Sequence, residues 1–159
     1  MIRRLAKAAY GFARRGLGDE RGTQLVELAI VLPVMLLLFA SVAEFGRYFY
    51  TYATLAKAAR AAARYSTTRQ FDSADIAQAQ SVAAYGNALA GCSGTPILQG
   101  LGCANVSIQQ ATSGGAQTVT AQIVNYQYQP IFDLGKLTGI SSLSLKVNVS
   151  PSVTMKYVF

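Results

Sequence analysis

Few side chains in this sequence of 159 residues could carry out chemistry. There is no histidine, which excludes a Ser-His-Asp triad and a zinc site with histidine ligands. The two cysteines are too few for a four-thiolate metal site within one chain, and only seven side chains are carboxylates. We therefore expect that the protein is not an enzyme, has no catalytic residue and binds neither a metal nor another cofactor.

One carboxylate has a spacing that indicates a role. Glu27 is the fifth residue after Gly22 and lies at the start of the longest apolar stretch. A cut after Gly22 would leave an α-amino group on Thr23 with a pKa of about 8, which is largely protonated at neutral pH. Glu27 could pair with that cation in its own chain or in a neighbouring helix. The alternatives are an incidental loop glycine and a carboxylate that reaches the membrane surface.

A second carboxylate, Glu44, lies at the far end of the apolar stretch. Arg47, three residues further on, is the nearby basic residue of the sequence, so a local ion pair is one interpretation. A basic residue of a neighbouring subunit is another partner for this charge. Hydration of the carboxylate at a membrane surface is the third interpretation.

The two cysteines enclose ten residues that are rich in glycine and serine, between Cys92 and Cys103. In an oxidising compartment we expect them to form a disulfide. A loop of this size would stabilise the fold by about 3 kcal/mol in the chain-entropy model. In the cytosol the two side chains would instead be free thiols.

These residues need a long amino-terminal helix to position them. Residues 28–43 are an uncharged run of 16, and from Thr23 the stretch reaches the roughly 20 residues that cross a bilayer. Pro33 lies inside this span, where we expect it to produce a kink. A cleaved secretory signal and a buried helix of a soluble protein are the alternatives.

The charge of the chain is concentrated before this span. The net charge is +7, of which residues 1–22 contribute +4 through six basic and two acidic side chains. Such a distribution is typical of a cytoplasmic leader, while a surface amphipathic helix is the alternative. Because the remaining residues carry only +3, we expect no nucleic-acid partner.

An aromatic pattern follows the span. Phe45, Tyr48, Phe49 and Tyr52 recur at helical spacing, which places them on one face. Aromatic side chains are enriched at membrane–water interfaces, and a stripe in a protein core is the alternative. We expect the interfacial residues to be Glu44, Phe45, Arg47, Tyr48, Phe49 and Tyr52.

The remaining periodicities predict an α+β fold. One helix is expected from about Thr23 to Tyr65, and a second from Asp72 or Ser73 to about Ala90, packed on the first through Ala77, Val82, Ala83 and Leu89. From residue 105 apolar and polar residues alternate, with turn residues at 113–115, which predicts a small antiparallel sheet of three or four strands. The expected strands include residues 119–130, 143–149 and 153–159, with a break at Pro151. The predicted domains are a leader at 1–22, a transmembrane helix at 23–45, a helical region at 46–90 and a disulfide loop with the sheet at 91–159.

The basic leader, Gly22, Glu27 and the apolar helix together resemble the processing site of type IV prepilins and pseudopilins. Within that group, GTQLVELAIVLPVMLLLFASVAEFGRYFYTYATLAKAARAAARY, residues 22–65, resembles the TadE-like family of the tight-adherence (Tad) pilus system. The shared features are the glycine, Val-Glu-Leu-Ala, the apolar run with its proline, Glu-Phe-Gly-Arg and the later Ala-Ala-Arg. The resemblance covers just over a quarter of the chain.

This resemblance implies a minor pseudopilin that a prepilin peptidase cuts after Gly22, so that Thr23 becomes the first mature residue. It implies a location in the bacterial inner membrane, which the single span crosses once. The basic leader and the cysteine pair predict a cytoplasmic amino terminus and a periplasmic carboxyl-terminal region, and incorporation into a pilus stays open. The implied partners are the peptidase, other pseudopilins, the major Flp pilin and the inner-membrane platform of the Tad machine. The alternatives are a pseudopilin of type II secretion or of another type IV pilus, and an uncleaved, signal-anchored periplasmic binding module.

Overall fold

The computed structural model describes residues 20–133, 135–136, 139, 142 and 144–157. Most of the predicted leader, residues 1–19, and two ends of the predicted strands, Leu143 and Phe159, lie outside the described residues. The contacts divide the chain into two compact units, Met1–Val42 and Ala43–Phe159, and we call the second unit the head. The fold is α+β, as predicted, while the predicted domain limits stay a prediction.

Helix α1 covers Glu20–Thr67 and is slightly longer than the predicted helix. Its sequence is rich in alanine and leucine, which favour helix, and it continues through Pro33, so the predicted kink stays a prediction. From Gly22 to Phe39 every side chain is exposed, although most of them are apolar. Such a surface is unfavourable in water and indicates that a different medium or partner covers it.

Within the head, α1 buries one face of small residues. Its buried apolar positions recur three and four residues apart, which is the spacing of one helical face, and they are Leu55, Ala58, Ala59, Ala62 and Ala63. Lys57, Arg60 and Arg64 point away from this face and are exposed. The alanines contribute to the core of the head with the buried residues of the second helix and the sheet.

Helix α2 covers Ser73–Tyr85, so the predicted end at Ala90 was wrong. The Asp72 carboxylate caps its amino terminus by accepting a hydrogen bond from the Asp75 N–H at 2.7 Å. At the other end Gly86 adopts a left-handed conformation, with φ +73°, and its N–H donates to the Val82 carbonyl. A separate 3₁₀ turn, Ala88–Ala90, follows.

The predicted packing face of α2 was only partly right. Ala83 is buried, together with Ala79, Ser81 and Ala84, and Val82 is half-buried. That Ala83 and Val82 pack on α1 stays a prediction. Ala77 is exposed, and Leu89 lies beyond the helix with its side chain also exposed. The early end of the helix explains Leu89, since helical periodicity no longer determines where a residue after Gly86 points.

The sheet contains three antiparallel strands, β1 Val106–Ser113, β2 Ala116–Ile123 and β3 Ser152–Lys156, in the order β1-β2-β3. A turn at Gly114–Gly115 joins the first two strands, with Val106 opposite Ile123. Alternate residues at the start of β1 and along β2 are buried, which are Val106, Ile108, Val119, Ala121 and Ile123. Val153 and Met155 of β3 are partly buried against the same core, which confirms the predicted apolar face. β3 begins directly after Pro151, where the sequence predicts a break.

Two predicted strand segments do not form regular strands. β2 ends at Ile123, and Asn125 has a positive φ of 54°, which interrupts the extended backbone. Residues 126–130 and 144–149 instead meet through one isolated bridge, Gln127 with Asn148. Two neighbouring bonds support it, from the Tyr128 N–H to the Val147 carbonyl at 2.9 Å and from the Val149 N–H to the Tyr126 carbonyl at 2.8 Å.

The predicted disulfide is present. Cys92 and Cys103 are bonded, with their Cα atoms 5.8 Å apart. Cys92 follows the 3₁₀ turn after α2, and Cys103 begins the short turn that leads into β1. The bond therefore connects the end of the helical region to the start of the sheet.

Candidate functional site

The predicted processing residues lie on exposed helix. Gly22, Thr23 and Glu27 all belong to α1, and all three are exposed. A Cβ atom placed on Gly22 would meet nothing within 4 Å. A side chain at this position is therefore tolerated by the fold, and any requirement for glycine has to come from outside the folded chain.

Glu44 occupies a very different environment. Only 4% of its surface is exposed, which is unusual for a carboxylate. Its side chain accepts hydrogen bonds from the Tyr128 hydroxyl, from the Ile131 N–H at 3.2 Å and from the Phe132 N–H at 3.5 Å. The Arg47 guanidinium lies 3.5 Å from the carboxylate. A buried carboxylate needs such donors because they replace the water that it loses.

The partners of Glu44 come from one helical face and from a distant segment of chain. Arg47 and Tyr48 lie one turn after Glu44 on α1, and the Tyr48 ring packs edge-on against the Tyr128 ring, with the ring centres 5.4 Å apart. The Arg47 guanidinium lies 5.9 Å from the centre of the same Tyr128 ring. The bridge at Gln127 positions Tyr128 beside the helix.

The electrostatics of the site keep the Tyr128 hydroxyl protonated. Burial, followed by the hydrogen bond to Glu44 and the charge of Glu44, raises the pKa of Tyr128 to about 12. The phenol therefore stays protonated and donates a hydrogen bond to the carboxylate throughout the physiological pH range. Its neighbour Tyr126 also has a raised pKa, because it is buried, but its hydroxyl donates to the neutral Gln99 carbonyl at 3.2 Å.

The two residues whose backbone N–H groups donate to Glu44 belong to a loop at residues 130–133, which we call the Glu44 loop. A second buried carboxylate, that of Asp133, lies at the far end of this loop. Asp133 accepts from the Gly135 N–H at 3.1 Å and from the Ser144 hydroxyl at 3.2 Å. Gly135 has to be glycine here, since a Cβ atom would lie 2.9 Å from the Ser144 nitrogen. The Glu44 loop is therefore held by one carboxylate at each end.

The structure separates the residues of the predicted aromatic stripe. Phe45, Phe49 and Tyr52 are exposed, whereas Tyr48 is half-buried against Tyr128. The Phe45 and Phe49 ring centres are 6.3 Å apart. An interfacial location for these residues stays a prediction. The alternative, an aromatic stripe in a protein core, fits only Tyr48.

For Glu44, the predicted local ion pair with Arg47 is present. The burial of Glu44 excludes the interpretation in which water surrounds its carboxylate. The sequence analysis missed Tyr128 and the two backbone donors, because 84 to 88 residues separate them from Glu44. The available signal was the carboxylate itself, which follows an apolar run and has one basic side chain nearby.

The arrangement binds and positions backbone rather than supplying reactive groups. Within the part of the chain that the structure describes, no group of three or more Cys, Asp or Glu residues could hold a metal ion. The same part contains one helix, from Gly22 to Thr67, that is long and apolar enough to cross a membrane. Together these features define an α+β head that follows a helix of membrane-spanning length.

A comparison with protein families finds a similarity over most of this helix. The family model described as TadE-like protein matches residues 22–64, which confirms the resemblance drawn from the sequence. No curated protein and no solved structure matches the chain. The family match supports a function associated with the Tad pilus, and the apolar helix is consistent with membrane anchoring.

The hydrogen bond from Tyr128 to Glu44 can be tested with a matched pair of variants. A hydrogen bond to a charged group contributes about 1.5–3 kcal/mol and one to a neutral group about 1 kcal/mol. We expect Tyr128→Phe to lower the free energy of unfolding by about 2 kcal/mol and Tyr126→Phe by about 1 kcal/mol. Chemical denaturation of the full chain in detergent, followed by near-UV circular dichroism, measures both values.

Tyr126→Phe is the control because it removes a buried tyrosine hydroxyl two residues away. Equal losses in the two variants would contradict a special role for the Glu44 carboxylate.

Proposed function

We propose that the protein is a pseudopilin that a prepilin peptidase cuts after Gly22 and that acts in the assembly or priming of Tad (Flp) pili. The observation that carries this proposal is the TadE-like family match, which begins at Gly22. The residues that follow it, up to Phe39, form an exposed and largely apolar helix surface. A helix of this kind supports a role in which the subunit lies first in a membrane and then against the helices of other subunits.

In the proposed topology the leader is cytoplasmic, α1 crosses the inner membrane once and the head is periplasmic. The six basic residues before the apolar run support this orientation. The disulfide of the head supports it independently, because disulfides persist in the oxidising periplasm.

Glu27 has the assembly role in this proposal. Its carboxylate is exposed on α1, four residues after Thr23, and an exposed charge near the end of an apolar helix gains from an opposite charge in the same medium. The α-amino group that the cut creates supplies this charge, in the same chain or in the next subunit. The pair would fix the axial position of one helix against another.

No reaction is assigned to the chain itself in this proposal. Its partners are the peptidase, other pseudopilins, the major Flp pilin and the inner-membrane platform of the Tad machine. The head presents the surface by which these partners distinguish the subunit.

The cut site predicts that Gly22→Ala blocks maturation. Because a Cβ atom meets nothing at this position, the variant should fold normally and fail only as a peptidase substrate. Gly46→Ala is the matched control, since it makes the same change in the same helix at another open position. Mass spectrometry of membrane protein from cells with the cognate peptidase should find Thr23 as the first residue of the control and the full leader on Gly22→Ala.

A mature end at Thr23 in Gly22→Ala would disprove the cut site. An uncut chain in both the wild type and Gly46→Ala would instead favour an uncleaved membrane anchor.

The assembly role predicts a different phenotype for Glu27. We expect Glu27→Leu to be cut normally, because the change lies on the mature side of the site, but to reduce the number of pili. Glu27→Asp keeps the charge and should retain more pili than Glu27→Leu. Electron microscopy counts the pili per cell, and mass spectrometry identifies the first residue of the processed chain in the same cells. Wild-type pilus numbers in Glu27→Leu would show that the carboxylate is not needed for assembly.

A further inference from the structure

The head exposes four large apolar side chains around Glu44. Phe45 and Phe49 on α1 are 64% and 63% exposed, and Ile131 and Phe132 in the Glu44 loop are 65% and 47% exposed. We call these four residues the apolar collar. The Phe45 and Phe49 ring centres lie 6.3 Å apart, and Ile131 and Phe132 are consecutive residues. Large apolar side chains that are exposed next to one another indicate a surface that another element covers.

The chain holds the two loop residues of the collar, Ile131 and Phe132, in this exposed arrangement. The Glu44 carboxylate accepts the backbone N–H groups of Ile131 and Phe132, so the loop cannot turn these side chains inward without losing those bonds. Asp133 fixes the next residues through Gly135 and Ser144. The exposure of Ile131 and Phe132 is therefore built into the fold.

The position of Glu44 in the sequence indicates what covers the collar. Glu44 is the first charged residue after the uncharged run 28–43, so in a membrane-crossing α1 it lies where the apolar span ends. Phe45 follows it directly, and the loop is hydrogen-bonded to it. All four collar residues are thus attached to the helix close to the level at which that helix leaves the bilayer.

The charge around the collar fits a lipid surface. Arg47 pairs with Glu44 on one side, and 47% of its side chain is exposed. A guanidinium in this position can reach lipid phosphates, and the Phe45 and Phe49 rings supply the apolar face of an element that binds a membrane surface. An apolar patch beside a cation is the combination by which surface elements bind membranes.

We propose that the Glu44 loop is a second membrane-contacting element, which inserts Ile131 and Phe132 into the interface of the bilayer that α1 crosses. Phe45 and Phe49 enter the same layer, and Arg47 binds lipid phosphate. The head is then held to the membrane at two places that are 87 residues apart in the chain, Glu44 and Ile131. This proposal requires that α1 spans the membrane, and it does not depend on the cut after Gly22.

The absence of tryptophan from the sequence makes a direct test possible. Single tryptophans are introduced as Ile131→Trp and Phe132→Trp in the full chain, which is reconstituted in vesicles of phosphatidylethanolamine and phosphatidylglycerol. Gln70→Trp is the control, because this exposed residue follows the end of α1. At 1.5 Å per residue, α1 extends about 35 Å beyond Glu44. Tryptophan emission is compared in vesicles with and without brominated acyl chains.

An interfacial side chain reaches roughly 5–10 Å into the headgroup and acyl boundary, so brominated lipid should remove about half of the emission at residues 131 and 132 and little at residue 70. Equal quenching at all three positions, in chains that float with the vesicles, would overturn the loop contact and leave the span intact. Blue-shifted emission that the bromines do not quench would mean that protein covers the collar, and it would also overturn the proposal. A chain that does not float would overturn the span and the loop contact together.

A second measurement needs no substitution. Wild-type chain in vesicles that contain a photoactivatable lipid is irradiated and digested, and the labelled peptides are found by mass spectrometry. The proposal predicts label on the peptide with residues 130–133 as well as on α1. Label on α1 alone would contradict it, even if a tryptophan variant had perturbed the fold.

Discussion

The head depends on the satisfaction of one buried charge. The Glu44 carboxylate is removed from water, and its compensation comes from a phenol, two backbone N–H groups and a guanidinium. Removing one partner of such a group costs more than the bond itself, because an unmatched charge remains in the interior. This requirement draws the segment from Tyr128 to Phe132 onto α1 and holds it there without a regular strand.

One continuous helix meets two physical conditions. From Gly22 to Phe39 its side chains are exposed and most of them are apolar, so they need a bilayer or other helices. From Leu55 to Ala63 its buried face is mostly alanine, which lets the rest of the head pack closely. Glu44 lies between these stretches. The proposed role as a pseudopilin requires α1 to remain in a membrane and later to join a bundle of helices, and this division of α1 suits both states.

Local patterns in the sequence predicted the parts of the fold that local physics determines. The uncharged apolar run and the helical spacing after it predicted α1, and alternation with a Gly-Gly turn predicted the β1–β2 hairpin. The two cysteines, in an expected oxidising compartment, predicted the disulfide. Single backbone conformations decided the misses: Gly86 ends α2 early, and Asn125 ends β2 before Tyr126. The partners of Glu44 were out of reach, because no local pattern relates a carboxylate to a tyrosine 84 residues away.

The central structural claim is that Glu44 holds the Glu44 loop on the helix, and amide hydrogen exchange tests it most directly. In the wild type the Ile131 and Phe132 amides should exchange slowly, whereas in Glu44→Ala they should exchange at least about tenfold faster. A tenfold change corresponds to roughly 1.4 kcal/mol, which is near the lower end of the free energy that a hydrogen bond to a charged group contributes. Amides of the β1–β2 ladder serve as the internal reference for folding. Fast exchange of both loop amides in the wild type, or unchanged exchange in Glu44→Ala with the ladder intact, would contradict the claim.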